Sequence, residues 1–475
     1  MALYQTMKQI RLLLLLISLL LGSLSYGYNL PTLGSPSALS PAQQKKLARE
    51  FMQAVRQEVP LVNDALVNNY VRSLGYKLAS HSGAVGQRFH FFIVQSNIIN
   101  AFSGPGGNIG IDSGLILSTQ NESELAAVMA HEIAHTTQDH IAQTLSAANH
   151  DTWLTMGAML AAIALGAAAH SPDAAVGGAM AASAGGTASM LSFSRTFERE
   201  ADEIGMRTLY KSGFNPYGMP DFFAHMQRLT MDDDDLYSFL NTHPVTQERI
   251  ADAENRAAQY PKRKYRNSMN YYLMRARLRA LYTPYAADAV NFFKAQLNNK
   301  SPAVYYGYSI ALMRNFQYDA ATTVINQLIQ QNPNQIIYPM ALAEIETAQK
   351  NYQAAANLLA KNYDFYPDYQ PLQVQYATVL LHTGNSQKAV NLLQKILINE
   401  PDNLELNQLL ATAQAQSGHL ADAYQTQAKV SLLQGDKERA LIQLKQALTM
   451  PHLDHDTRLM IQSQIASLQN HGTNK

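Results

Sequence analysis

A 34-residue period limits how this chain can fold more than any other feature. Pro333, Pro367 and Pro401 stand 34 residues apart, and Ala287, Ala321, Ala355, Ala389 and Ala423 keep that interval through five occurrences. A second small-residue series, Ser309, Ala343, Ala377 and Ala411, shares the period and lies one helix earlier in each unit. Proline closes a helix because it has no N–H to donate and its ring clashes with the preceding turn. Helices that cross closely need small residues at the crossing. The period therefore predicts stacked helix pairs, each touching only its neighbours. It holds from about 303 to 434, with Ala287 marking a degenerate unit before it and "GDKERALIQLKQAL" opening a partial one after it. A chain of 475 residues exceeds what one hydrophobic core usually serves, so a separate domain should precede the array.

The repeats resemble tetratricopeptide repeats, which implies an α-solenoid with a concave side suited to extended segments or to another protein's surface. At the other end, Lys8 and Arg11 lead into "LLLLLISLLLGSLSYG", the pattern of a secretory signal. Ser25 and Gly27 are small residues at −3 and −1 of a cut before Tyr28; an uncleaved anchor is the alternative. There is no cysteine, which excludes a disulfide framework and a lipid-modified cysteine, so a zinc site must use histidines and carboxylates. Lys plus Arg equals Asp plus Glu at 36 each, and no global field points to nucleic acid or an acidic membrane surface.

Between these ends, apolar residues recur every three or four positions from Ser40 to about Ser82, predicting two amphipathic helices. "RFHFFIVQS" and "GGNIGIDSGLIL" read as strands. Asn121 with Glu124 forms a capping box, so a helix should start near Glu122 and end near His140 or a turn or two later. Trp153 to Met190 is dominated by Ala, Gly and Met. Its most apolar part spans about 17 residues, short for a bilayer, and reads as a buried or interfacial helix followed by a glycine-rich loop over the site. "SFSRTFEREADEIGMRTLYKSGFNP" restores helical periodicity and ends at Gly213 and Pro216.

The chemistry lies in "LAAVMAHEIAHTTQDH", residues 125–140. Two histidines and a glutamate sit among apolar residues, where burial without partners is costly. His131 and His135, four residues apart, lie about 40° apart around a helix and can share one metal. Glu132 points beside that metal, positioned to take a proton from an activated water. His-Glu-x-x-His arises by chance in about 2% of chains of this length and composition, so the motif needs a third element. "FEREAD" supplies it: Glu198 and Asp202 share a helix face, Glu198 as third ligand and Asp202 as acceptor for the free ring nitrogen of a ligating histidine. Glu200 and Glu203 read as a solvated face. Arg195 is a candidate to orient Glu198 or Asp202, and His140 faces away from the metal on an ideal helix. The run Asp232 to Asp235 lacks the alternating ligands and glycine of a calcium loop.

"NAFSGPGGNIGIDSGLI", "NESELAAVMAHEIAHTTQDH" and "SRTFEREADEIG" resemble the gluzincin family that includes the bacterial heat-shock membrane protease and the eukaryotic prenyl-protein endopeptidase. The chain is most similar to its secreted branch joined to tetratricopeptide repeats. That resemblance implies one Zn2+ held by His131, His135 and Glu198, with Glu132 as general base. It also implies that "GGNIGID" is an edge strand pairing with extended substrate. In the secreted relatives a Thr-His-Pro segment precedes the linking helix; His243 would then either occupy the open metal position and keep the enzyme latent or stabilise the oxyanion. The alternative is a histidine that only caps the helix after Pro244.

The expectation is a mainly α protein: signal peptide 1–27, a zincin-like α+β metalloprotease domain with a small β-sheet over 28–262, and an α-solenoid of tetratricopeptide repeats over 263–475. By resemblance it would be a periplasmic zinc metalloendopeptidase with chaperone activity. It would act on unfolded or misassembled outer-membrane proteins and dock on the β-barrel assembly machinery, with peripheral membrane association and no nucleic acid. A repeat scaffold with latent proteolysis and a membrane-anchored quality-control protease are the rival readings.

Overall fold

The computed structural model describes residues 41–146, 194–229, 239, 243–451 and 453–470. The signal segment with its cut before Tyr28, the Trp153–Met190 stretch and the Asp232–Asp235 run lie outside the described residues. Among the described residues no helix is long and apolar enough to cross a membrane.

The two amphipathic helices are α1 (Pro41–Glu58) and α2 (Ala65–Ala79). Asp64 caps α2 by accepting from Val67 N–H at 3.0 Å. A three-stranded sheet follows, β1 (His90–Val94), β2 (Ala101–Gly104) and β3 (Asn108–Asp112). β3 lies in the middle, parallel to β1 with His90 opposite Asn108, and antiparallel to β2 with Ala101 opposite Ile111. "GGNIGID" is therefore not an edge: β3 is paired on both sides and all five of its residues are buried. The edges belong to β1 and β2. The turn from β2 into β3 passes through Gly106 and Gly107, whose φ values of 73° and 78° suit glycine. A Cβ on Gly107 would also lie 2.0 Å from the Arg88 carbonyl oxygen.

"SGLILS", expected to continue the strand, is helix α3 (Ser113–Ser118). A short apolar run buried on all sides carries no period to separate strand from helix. Then come α4 (Glu122–Thr137), α5 (His140–Ser146), α6 (Arg195–Lys211), α7 (Gly218–Leu229) and α8 (Gln247–Ala257). Helix α4 is the centre of this part. All but its last residue are buried, and α2, α6, α7 and β2 pack against it.

An extended segment leads from α8 to α9 (Met269–Tyr282) and α10 (Ala286–Lys294). The helix pairs α11 (Pro302–Arg314) with α12 (Tyr318–Gln331), α13 (Ile337–Ala348) with α14 (Tyr352–Phe365), α15 (Gln370–His382) with α16 (Ser386–Leu397), and α17 (Leu404–Gln416) with α18 (Leu420–Leu433) follow. The last two helices are α19 (Lys437–Leu448) and α20 (His455–Asn470). Ser309, Ala343, Ala377 and Ala411 are buried, as are Ala321, Ala355, Ala389 and Ala423. Ala287 is exposed, and Ala289, the fourth residue of α10 as Ala321 is of α12, fills the crossing instead, so the early unit is shifted by two residues.

The repeats are not a free appendage. Arg277 on α9, buried, binds both Asp64 oxygens through Nε at 2.9 Å and reaches Glu344 on α13 through Nη1 at 2.9 Å. Arg72 on α2 donates to Gln370 on α15 and to Glu400. On α1, Gln53, Arg56 and Gln57 donate to the carbonyls of Leu432, Leu433 and Gln434, at and just past the C-terminal end of α18. At the start of α4, Glu122 accepts from Tyr70 Oη at 2.9 Å and from Ser268 N–H at 2.6 Å, tying the segment before α9 to the ligand-bearing helix.

Candidate metal centre

The start of α4 sets the register of its histidines. Asn121 Oδ1 accepts from Glu124 N–H at 3.1 Å, while the Glu124 carboxylate accepts from Gln120 N–H at 2.8 Å, one residue earlier than a standard capping box would use. Two turns on, His131 and His135 share one face, and their Nε2 atoms lie 3.0 Å apart. Helix α6, capped by Ser194, crosses α4 here and delivers Glu198, whose Oε1 is 3.3 Å from His135 Nε2 and whose Oε2 is 3.6 Å from His131 Nε2. Asp202 sits one turn further along α6, its Oδ1 3.0 Å from His131 Nδ1. His243 enters from the segment before α8, with Nδ1 2.8 Å from Glu198 Oε1 and 3.3 Å from His131 Nε2, its ring against Phe239.

The close crossing depends on Gly205. A Cβ there would lie 3.1 Å from His131 N and 3.2 Å from its Cα, backbone atoms that have little room to give.

Four donor atoms, from His131, His135, Glu198 and His243, lie within 4.8 Å of one another, all buried. Zinc bonds of 2.0–2.1 Å in a tetrahedron put donors about 3.3 Å apart; the distances among these side chains run from 2.8 Å, between His243 and Glu198, to 3.6 Å, between His131 and Glu198. Burial lowers the basicity of His135 well below the ordinary imidazole value, with the neighbouring His131 adding to the effect against Glu198, so it is neutral and has a lone pair to give. Burial opposes ionisation of Glu198, yet His243, His135 and His131 around it hold its carboxyl well below the usual range. The neutral imidazole of His135 beside the ionised carboxylate of Glu198, with His131 Nε2 next to both, is a donor set that fits a divalent zinc-like ion. Glu132 is different: burial raises its carboxyl, and both its oxygens are buried without a hydrogen bond, with His243 Nε2 3.4 Å from Oε1.

Arg249, on α8, had no signal in the sequence. Its Nε and Nη2 bind Asp202 at 2.6 and 2.8 Å, and its Nη1 lies 2.7 Å from Glu198 Oε2. Burial again opposes ionisation of Asp202, and Arg249, then His131, overcome it and keep that carboxyl low. Arg195, the expected orienting residue, is exposed at the first turn of α6. Glu203 is on the solvent side, paired with Arg256 at 2.7 Å. Two residues set aside in the sequence belong to the centre's surroundings. Helix α4 ends at Thr137, Asp139 adopts a left-handed φ of 57°, and the break turns His140 back so that its Nδ1 is 3.0 Å from His135 Nδ1. Glu200 Oε2 then lies 3.3 Å from His140 Nε2.

Comparison with known proteins agrees with both halves. Residues 65–257 match the family model described as peptidase family M48, and residues 346–403 match a tetratricopeptide repeat model. The chain is 32% identical over 424 residues to the beta-barrel assembly-enhancing protease of Escherichia coli K12, covering 88% of this chain and 86% of that protein. Over 398 residues it is 31% identical to the beta-barrel assembly-enhancing protease of Yersinia pestis, covering 82% and 81%. Its similarity to the mitochondrial metalloendopeptidase OMA1 of Schizosaccharomyces pombe is 26% over 185 residues, 39% of this chain and 51% of that one.

Proposed function

The chain belongs to the family of the beta-barrel assembly-enhancing proteases, and on that premise we propose that it is a periplasmic zinc endopeptidase that clears misassembled outer-membrane β-barrel proteins and aids their assembly. Its peptidase match and its buried His/Glu cluster make it a metalloprotease. The one observation that carries the reading is the convergence of His131, His135, Glu198 and His243 from three separate segments onto a single buried point.

In this reading His131, His135 and Glu198 hold the ion and His243 contributes a fourth donor. Zinc supplies Lewis acidity, acidifying an attacking water and polarising a peptide carbonyl. His131 donates its Nδ1–H to the Asp202 carboxylate, which leaves the Nε2 lone pair to ligate; Arg249 fixes Asp202 and Glu198 together. Glu132 accepts the water's proton on its buried carboxylate and returns it to the leaving amine; its raised pKa suits a group that must do both near neutral pH. His243 lies between Glu198 and Glu132, where a water or substrate carbonyl would have to go, which favours its role in holding the enzyme latent. Because β3 is central, the extended substrate pairs instead with the outer edge of β2, which packs on α4 beside the ligands.

Residues 28–262 then form the protease, 263–475 the partner-binding repeats, and a leader is removed near Gly27. The assembly machinery and unfolded barrels are the partners this reading assigns to the repeats; the relatives' printed function supports it. The test is Glu132→Gln. Zinc content should stay at one per chain while cleavage of an unfolded barrel protein falls by at least about 10²-fold. Cleavage at the wild-type rate would rule out Glu132 as the base.

A further inference from the structure

Behind His135, on the side away from the metal centre, the structure builds a second polar chain. His140 and His135 are both fully buried, and their Nδ1 atoms are 3.0 Å apart. His140 Nε2 faces Glu200 Oε2 at 3.3 Å. The ring of His140 is held flat against Phe197, with centroids 4.3 Å apart and planes 12° from parallel. Its position is fixed from the other side by the left-handed turn at Asp139.

Only one assignment of protons satisfies the His135–His140 and His140–Glu200 contacts if His135 Nε2 is to present a lone pair among the donors. His135 must then carry its proton on Nδ1 and donate it to His140 Nδ1. His140, accepting there, must carry its own proton on Nε2 and donate it to the Glu200 carboxylate. The reverse order would put a proton on His135 Nε2, aimed at His131 Nε2 and Glu198.

We infer that His140 and Glu200 are positioning residues: together they fix the tautomer and ring orientation of His135 as a metal ligand, as Asp202 and Arg249 do for His131. The inference rests on the metal-centre reading above. A histidine placed between ligand and carboxylate differs from the direct carboxylate behind His131 in one consequence. The partly exposed Glu200 contributes less than His140 itself, because its charge is screened by solvent while the Nδ1 acceptor is not.

The test is zinc affinity of the full chain by competition with a chromophoric chelator. His140→Phe keeps an aromatic ring against Phe197 but removes the acceptor, and should weaken zinc binding about 10- to 100-fold. Glu200→Ala should weaken it less than His140→Phe. His140→Gln, whose carbonyl can accept from His135 and whose amide can donate to Glu200, should restore binding to within about threefold of wild type. If wild type binds one zinc and His140→Phe holds it equally tightly, the relay is overturned while the metal centre stands. If wild type takes up no zinc, both fail. Should His140→Phe not fold, two-bond 1H–15N spectra of zinc-free wild type decide: protons on His135 Nδ1 and His140 Nε2 support the relay, and a proton on His135 Nε2 overturns it.

Discussion

Arg249 reaches two buried carboxylates, Glu198 and Asp202, with one guanidinium. Arg249→Met removes the guanidinium from both carboxylates, leaving them only their histidine contacts, and should cost about 3–5 kcal/mol of stability in the zinc-free chain, measured by urea denaturation. The pH dependence has a definite sign. Folded-state values for Asp202 and Glu198 lie below their unfolded ones, so their stabilisation is complete above about pH 5, starts to fall as pH drops through the unfolded values, and is lost as pH falls through the lowered ones. Wild type should therefore lose stability steeply in acid, and Arg249→Met should flatten that slope; an unchanged slope would contradict the assignment. At this scale the sequence was legible where spacing encodes geometry. His131 and His135 at i and i+4, Glu132 beside them, and Glu198 with Asp202 all stand where helical arithmetic put them. Arg249 is 47 residues from Asp202 and looks like any helix-surface arginine. His140 escaped because an unbroken helix was extrapolated past Thr137.

The elements that matter most are α4 and α6, whose crossing brings two candidate ligands, His131 and His135, to a third, Glu198. Gly205 sets that distance. Gly205→Val should overpack the crossing, cost about 1–3 kcal/mol and lower zinc affinity by moving Glu198 off the histidines. Gly205→Ala should do less, because a gain of roughly 1 kcal/mol in helix propensity offsets part of the strain. Zinc titration of the two variants checks this, and a valine variant that binds zinc like wild type would show the crossing to be slack. Periodicity and caps announced α1, α2, α4 and α6 clearly. The sheet was harder, since a five-residue strand says nothing about its neighbours: β3 was expected at the edge, and β2, only four residues long, had no pattern of its own.

Across the whole molecule, the 34-residue period disclosed the repeats but not what they touch. Parts of α9 and α15 meet the chain's own α2 and its Asp64 cap through Arg277 and Arg72, so some of the surface expected for partners is taken internally. The Arg277–Asp64 and Arg72–Gln370 contacts join residues 213 and 298 apart and leave no local trace in the sequence. Arg277→Met strands Asp64 and Glu344 and should destabilise the joint by about 3–5 kcal/mol. It should also make the segment between α8 and α9 easier to cleave in limited proteolysis; wild-type resistance would mean the other contacts suffice. The account as a whole rests on one ion shared by α4 and α6. Crystals grown with zinc and measured at the zinc absorption edge test this most directly. The predicted result is a single anomalous peak within bonding distance of His131 Nε2, His135 Nε2 and Glu198; a peak elsewhere, or none at that point, contradicts it.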